Sequence, residues 1–198
     1  MTVARSKAIA RTCWRCKEPT GGPVCSSCGT IQPPVPGMDH FALLGIPRAF
    51  FFENAVLEQA YRTRSRRVHP DRFTRKSAVE RRMSLQWTAA LNEARRVLRD
   101  PIRRACYLAT GQSEIPEQGG PSMDPAFLEQ IFELQMSAMA EPDTARETAT
   151  QLRDAEWADI EAAMRAWEAG TGSLDGLDSR VARLKYIEKI IALTASSD

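Results

Sequence analysis

Apolar residues recur every three or four positions in most of the chain after residue 52. Residues at this spacing lie on one face of an α-helix, so the pattern predicts helices rather than strands. The predicted helices cover residues 53–68, 78–99, 102–109, 124–139, 144–169 and 177–193, and a shorter helix covers residues 39–45. The sequence therefore predicts an all-α protein.

The first two long helices are expected to form an antiparallel hairpin with a His-Pro-Asp tripeptide at its tip. Pro70 disfavours the α conformation at His69, so the first helix ends there. Ser77 and Glu80 have the spacing of a capping box, which starts the second helix. The two apolar stripes that would pack together are Leu57, Tyr61 and Val68 on the first helix and Met83, Trp87, Leu91, Ala94 and Leu98 on the second.

The last three helices are joined by short links, which predicts an antiparallel three-helix bundle. The helix that begins after Asp124 carries two apolar stripes. One contains Phe127 and Ile131, and the other contains Leu128 and Phe132. A bundle helix needs only one apolar stripe for its core, so the second stripe is a candidate partner surface. The alternative is that both stripes form one wide core face.

Four of the five cysteines form two C-x-x-C pairs, Cys13 with Cys16 and Cys25 with Cys28. Two such pairs supply the four thiolates of a tetrahedral structural Zn²⁺ site. A redox dithiol, an iron–sulfur ligand set and disordered thiols are the alternatives. A segment this short cannot build its own core, so the metal would supply most of its folding energy. Cys106 is expected to be a buried apolar residue.

Charge is unevenly distributed along the chain. Residues 39–111 hold fifteen Lys and Arg against seven acids, whereas residues 112–198 hold seven against seventeen. This asymmetry predicts units with different partners. The net positive charge of residues 1–111 also allows a zinc-containing nucleic-acid-binding module. However, the arginine-rich helix ends in His-Pro-Asp and the C-terminal half is strongly acidic, so no nucleic-acid partner is expected. No apolar run approaches the ~20 residues that span a bilayer, so no membrane partner is expected. A secretory signal is not expected either. No nucleophile–base pair is evident, so an enzyme is not expected.

The hairpin resembles the J-domain of HscB-type co-chaperones. The resemblance is carried by His69-Pro-Asp-Arg-Phe73 and by Leu91-Asn-Glu-Ala94, Leu98-Arg-Asp-Pro101 and Arg104-Ala-Cys-Tyr107-Leu108. It implies that the tripeptide docks on an HscA/DnaK-type ATPase chaperone and stimulates ATP hydrolysis by that partner. The residues expected to contact this chaperone are His69, Pro70, Asp71, Arg62, Arg66 and Arg67.

The C-terminal half resembles the HscB domain that binds the iron–sulfur scaffold protein IscU. Matched by motif, the client-binding residues are Leu128, Phe132 and Tyr186. The cysteine pairs resemble the N-terminal extension of eukaryotic-type HscB proteins, with one structural Zn²⁺ per chain that stabilises the protein or helps it form a homodimer. The resemblance implies a bacterial cytoplasm or a mitochondrial matrix. A general J-protein that serves unfolded clients is the alternative.

Together these features predict four regions. A four-cysteine zinc-binding module covers residues 1–30, and a Pro-rich linker covers residues 31–38. The J-domain covers residues 39–111, and the client-binding three-helix domain covers residues 112–198. The expected mechanism places the chaperone-docking function in the third region and the scaffold-binding function in the fourth.

Overall fold

A computed structural model describes residues 11–114 and 123–195 of the protein. The chain divides into two compact units, one ending at Asp100 and the other beginning at Pro101. The basic N-terminal residues 1–10 and most of the loop expected at residues 112–123 lie outside the described residues. Seven α-helices and one two-residue strand pair make up the described part, which confirms the all-α prediction.

The first unit begins with a small cysteine module. Strands β1 (Arg11–Thr12) and β2 (Pro19–Thr20) pair in an antiparallel hairpin. A single antiparallel bridge between Val24 and Ile31 closes the second half of the module. Ile31 is fully buried, so the module contains an apolar residue besides its cysteines.

Helices α1 (His40–Leu44), α2 (Asn54–Val68) and α3 (Ala78–Arg99) complete the first unit, and a 3₁₀ turn covers Pro70–Phe73. Helices α2 and α3 are antiparallel, as two side-chain bonds show. Arg95 Nε lies 2.8 Å from Glu58 Oε1 near one end, and Ser84 Oγ donates a 2.6 Å hydrogen bond to Val68 O near the other. The predicted capping box at the start of α3 is present.

The hairpin core agrees with most of the stripes expected from the sequence, although Met83 is only half-buried. Apolar residues of α2 and α3 with an exposed fraction of 3% or less are Leu57, Val68, Trp87, Leu91, Ala94, Val97 and Leu98. Tyr61 is only half-buried, and its hydroxyl donates a 2.7 Å hydrogen bond to Asn92 Oδ1. The apolar contact between the helices holds the intervening tripeptide at one end of the pair.

The second unit contains helices α4 (Pro101–Thr110), α5 (Pro125–Ala140), α6 (Pro142–Glu168) and α7 (Leu177–Ala195). Helices α5, α6 and α7 pack on one another as the predicted three-helix bundle, and α4 packs on α7. One cluster of buried side chains joins the bundle helices: Phe127, Ile131, Leu134, Ala145, Ala149, Ile187 and Ile190. Ion pairs from Glu156 to Arg183 (2.7 Å) and from Asp159 to Arg180 (2.6 Å) link α6 to α7.

Two segments near the expected region boundaries pack against a neighbouring part of the chain. Helix α4, which the sequence placed in the J-domain, packs against α7 and falls in the second unit. Ile31 and Gln32, which the sequence placed in the linker, are buried in the cysteine module, with exposed fractions of 0% and 3%. In both cases the apolar residues of a segment indicate that it is buried, but they do not indicate which part of the chain covers it. Among the described helices, none combines the length and the hydropathy needed to cross a bilayer.

Candidate metal centre and docking surfaces

The four N-terminal cysteines converge on one point. Their Sγ atoms all lie within 4.8 Å of one another. The Sγ atoms of Cys13 and Cys28 are 3.7 Å apart, and so are those of Cys16 and Cys25. Four sulfurs held 2.3 Å from a tetrahedral zinc ion stand about 3.8 Å from one another. The donor type, the number of donors and the separations of these two pairs therefore fit a structural Zn²⁺ ion.

Each C-x-x-C pair is closed by the same backbone turn. Lys17 N donates to Cys13 O, and Gly29 N donates to Cys25 O, both at 3.0 Å. Both turns need a left-handed backbone after the second cysteine, with φ of 67° at Lys17 and 68° at Gly29. Glycine reaches this conformation without steric cost, which suits Gly29 to the position after the second C-x-x-C pair.

The electrostatics of the cluster also favour a bound cation. Burial opposes ionisation of Cys13, but hydrogen bonds from the Cys16 and Arg15 backbone lower its pKa to about 6. The pKa of Cys16 is raised to about 12: a hydrogen bond from the Glu18 backbone favours its thiolate, but burial and the neighbouring thiols outweigh it. Thiolates this close repel one another, and a divalent cation among them removes that repulsion.

Gln32 supports the cluster from outside the ligand set. Its Nε2 atom lies 3.2 Å from Cys13 Sγ and donates a 2.9 Å hydrogen bond to Thr30 O, while its Oε1 accepts from Trp14 N. Such outer contacts orient the ligands of a metal. Gln32 is not predictable from the sequence, because a glutamine next to a Pro-rich stretch carries no signal of its own.

The His-Pro-Asp turn is held firmly and presents its carboxylate to solvent. Pro70 starts the 3₁₀ turn, and Phe73 at its end is buried with an exposed fraction of 5%. His69 Nδ1 lies 3.4 Å from both Asp71 N and Asp71 Oδ2. The Asp71 side chain is 86% exposed. The carboxylate therefore stands free to accept hydrogen bonds from a partner cation.

The arginines that the sequence assigned to chaperone docking lie on α2 and point to solvent. Arg62, Arg66 and Arg67 are all exposed. Two further cations, Arg72 and Lys76, are exposed on the turn that follows, and Arg72 Nη1 donates a 3.2 Å hydrogen bond to Arg66 O. The basic residues that follow Asp71 in the sequence are the signal from which this extension of the docking surface could have been predicted.

The second apolar stripe of α5 is exposed, as expected if it is a partner surface. Leu128 and Phe132 have exposed fractions of 46% and 63%, whereas Phe127 and Ile131 on the other stripe are buried. The alternative of a single wide core face is therefore wrong. Tyr186, the third predicted client-binding residue, lies on α7 and is 41% exposed. Met136 and Met139 continue the exposed stripe along α5.

Cys106 takes no part in these surfaces. Its exposed fraction is 1%, and burial raises the pKa of its thiol. This confirms the prediction of a buried apolar residue.

A helical hairpin that presents an exposed His-Pro-Asp turn defines a J-domain protein. Comparison with models of known protein families gives no match. A co-chaperone protein HscB homolog of Cupriavidus taiwanensis is 36% identical over 159 residues, which cover 77% of this chain and 89% of that protein. The chain therefore belongs to the HscB co-chaperone family.

Other relatives align over a smaller share of their length. An HscB homolog of Bordetella pertussis is 48% identical over 96 residues, which cover 48% of this chain and only 56% of that protein. The iron-sulfur cluster co-chaperone protein HscB of Mus musculus is 36% identical over 138 residues, which cover 67% of this chain and 59% of that protein. The crystal structure of human co-chaperone protein HscB matches with a TM-score of 0.75 at 27% identity, covering 94% of this chain and 98% of that one.

Proposed function

We propose that this protein is a co-chaperone of iron–sulfur cluster assembly that acts between two partners. Its J-domain stimulates the ATPase of an HscA/DnaK-type chaperone, and its C-terminal bundle delivers an IscU-type scaffold protein. The name of the mouse relative, an iron-sulfur cluster co-chaperone, supports this biological setting. ATP hydrolysis is carried out by the partner, and this chain is not an enzyme.

The exposed carboxylate of Asp71 is the observation that carries the chaperone half of the proposal. It is displayed on a turn whose ends are fixed by Pro70 and by the buried Phe73. A rigid donor or acceptor loses little freedom on binding, so a preorganised carboxylate suits a specific charge-assisted contact. His69 positions this turn, because its Nδ1 atom lies 3.4 Å from Asp71 N.

Positive charge around the turn supports docking on an acidic partner surface. Arg62, Arg66 and Arg67 are exposed on α2, immediately before the turn. Opposite charges across an interface steer the encounter and set the orientation of the two proteins. These arginines would therefore bring Asp71 to its site on the ATPase.

The client half of the proposal is supported by the exposed apolar stripe of α5. Leu128 and Phe132 stay exposed, although the same helix buries Phe127 and Ile131 in the bundle. Large apolar side chains grouped on a helix surface are typical of a docking site for another protein. We assign Leu128, Phe132 and Tyr186 to the scaffold protein, and the four cysteines to one structural Zn²⁺ ion.

Single-turnover ATP hydrolysis by an HscA-type chaperone tests the proposal. The chaperone is preloaded with ATP, and this protein and IscU are added separately and together. The wild-type protein should stimulate hydrolysis, and IscU should increase the stimulation further. Asp71→Asn should abolish the stimulation, because the amide keeps the size of the side chain but removes its charge, and should still bind IscU.

Full stimulation by the Asp71→Asn variant would remove the proposed role of the J-domain. Stimulation by the wild-type protein that does not respond to IscU would keep the J-domain role and reject the client. In that case, binding of unfolded model chains would favour a general J-protein. Asp175→Asn is a matched control, because Asp175 is also exposed but lies in the loop before α7.

A further inference from the structure

A cleft lies between the cysteine module and the His-Pro-Asp turn, within the first compact unit. Its volume is about 390 Å³. Both parts of the unit line it: Val24 and Gly29 from the cysteine module, and Arg67, Arg72, Phe73 and Lys76 from the J-domain. Since Arg67 and Arg72 flank the tripeptide in sequence, the cleft borders the turn that presents Asp71.

The charge of the cleft is positive on the J-domain side. Arg67, Arg72 and Lys76 are all exposed, and none of them forms an ion pair within residues 11–114 and 123–195. No carboxylate is among the lining residues. The nearby Glu80 is buried and accepts hydrogen bonds from Ser77 N and Ser77 Oγ. Its carboxylate therefore faces the capping box and does not line the cleft.

The module wall of the cleft is held in place by buried contacts with the J-domain. Trp87 Nε1 on α3 donates a 2.7 Å hydrogen bond to Gln32 O in the module. The Gln32 side chain in turn contacts Cys13 Sγ, and Val24 is bridged to Ile31. The module is therefore a fixed wall beside the turn, and its shape depends on the four cysteines.

We propose that this cleft binds an acidic segment of the ATPase chaperone, so that the cysteine module forms part of the chaperone-docking surface. This inference rests on the proposed function and extends it to a second part of the chain. A partner that offers a cation to Asp71 and carboxylates to the cleft would form two adjacent contacts of opposite charge with this protein. Such a pattern fixes orientation better than a uniformly basic surface.

Paired substitutions on the module wall test the proposal without touching the J-domain. Gly29→Asp and Gly29→Asn are nearly equal in size, and both residues tolerate the left-handed backbone that Gly29 adopts with φ of 68°. A Cβ atom added at Gly29 meets no other atom within 4 Å. The measurement is the concentration of full-length, zinc-loaded protein that gives half-maximal stimulation of single-turnover ATP hydrolysis by an HscA-type chaperone.

Gly29→Asp should raise the half-maximal concentration roughly fivefold relative to Gly29→Asn, because it adds a like charge opposite an acidic segment. The maximal rate should not change, since Asp71 is intact. Val24→Glu should raise the same concentration, and Val24→Lys should lower it or leave it unchanged. Thr12→Asp adds the same charge to an exposed module residue outside the lining, and should leave it unchanged.

Zinc content and thermal unfolding of each variant identify any that fail to fold. If a variant at position 29 fails to fold, the pair at position 24 provides the test, and the reverse also holds. Equal half-maximal concentrations for Asp and Asn at position 29, or for Glu and Lys at position 24, would overturn the proposal. That failure is distinct from failure of the proposed function. If Asp71→Asn is inactive while the module pairs show no charge dependence, the chaperone role stands and only the cleft is excluded.

Discussion

The indole Nε1 of Trp87 donates a 2.7 Å hydrogen bond to the main-chain oxygen of Gln32, and both residues are 3% exposed. Trp87 belongs to the J-domain hairpin, and Gln32 contacts the sulfur of Cys13 through its side chain. One residue thus touches both the cysteine cluster and the J-domain core. Because a buried polar pair loses stability when one member is removed, this contact couples the two parts of the unit.

Replacing Trp87 should destabilise the first unit and weaken its hold on metal. Trp87→Phe keeps an aromatic ring but leaves the carbonyl of Gln32 unpaired, which costs about 1–3 kcal/mol in the free energy of unfolding. Urea unfolding followed by circular dichroism measures this loss, and competition with a chelator measures zinc retention.

The matched control is Trp157→Phe, since the Nε1 of Trp157 bonds to Glu161 at a half-exposed position on α6. It should cost less than Trp87→Phe and leave zinc retention unchanged. Equal zinc retention by wild type and Trp87→Phe would show that the metal site does not depend on this contact.

The cysteine cluster should carry about one zinc ion per chain, because four convergent thiols fill a structural zinc site. Cys25→Ser should lose most of this metal, since a serine hydroxyl does not ionise at neutral pH. Elemental analysis of protein purified without added metal measures the content. Cys106→Ser, which removes a cysteine outside the cluster, should keep the wild-type content. Iron in place of zinc, or a metal-free protein, would reject the assignment.

The exposed face of α5 should bind the scaffold protein without contributing to stability. Leu128→Ala with Phe132→Ala should weaken binding of IscU by about 2 kcal/mol or more, roughly thirtyfold, as expected for apolar anchors of an interface. Isothermal titration calorimetry measures this affinity. The free energy of unfolding should change little, because both side chains are already exposed.

Leu85→Ala is the control for this face, since Leu85 is 60% exposed on α3 in the other unit. It should leave IscU binding at the wild-type level. Wild-type affinity for IscU in the Leu128/Phe132 double variant would show that IscU binds to another surface.

The capping box of α3 should make stability depend on pH in the acidic range below 4.5. Burial opposes ionisation of Glu80, but hydrogen bonds from the Ser77 side chain and backbone, with the charge of Lys76, lower its pKa from the ordinary 4.5. A carboxyl whose pKa is lowered by folding stabilises the protein above 4.5, and this stabilisation is lost as pH falls through the lowered value.

Glu80→Gln should therefore cost about 1 kcal/mol at pH 7, and the difference from wild type should shrink as the pH falls below 4.5. Urea unfolding at a series of pH values gives the comparison. Glu93→Gln removes a half-buried charge that pairs with Arg96 on the same helix, and should cost less than Glu80→Gln at pH 7. A Glu80→Gln deficit that is constant from pH 7 to pH 3 would contradict the role of the carboxylate.

Much of the local structure followed from short-range rules. Pro70 ended α2 and Ser77 with Glu80 began α3, because proline geometry and capping hydrogen bonds act over a few residues. The cysteine spacing predicted a four-thiol cluster, since each C-x-x-C pair is a local turn and two such turns supply four thiolates.

The packing of the elements depended on contacts between distant residues. Periodicity showed that α4 has a buried face, but only the fold identified α7 as its partner. Likewise, two apolar stripes on α5 were visible in the sequence, yet burial of Phe127 and exposure of Phe132 are decided by which stripe α6 and α7 cover. Helical spacing specifies a face, and the identity of the surface against it is a tertiary property.

The sequence alone predicted the helices, the His-Pro-Asp turn and the four cysteines that converge, because each depends on residues that are neighbours in the chain. Only the tertiary structure joined Gln32 to Trp87, fifty-five residues away, and so placed the cysteine module beside Arg67, Arg72 and Lys76. A hydrogen bond over such a separation leaves no periodic pattern, since it depends on where two segments distant in sequence meet.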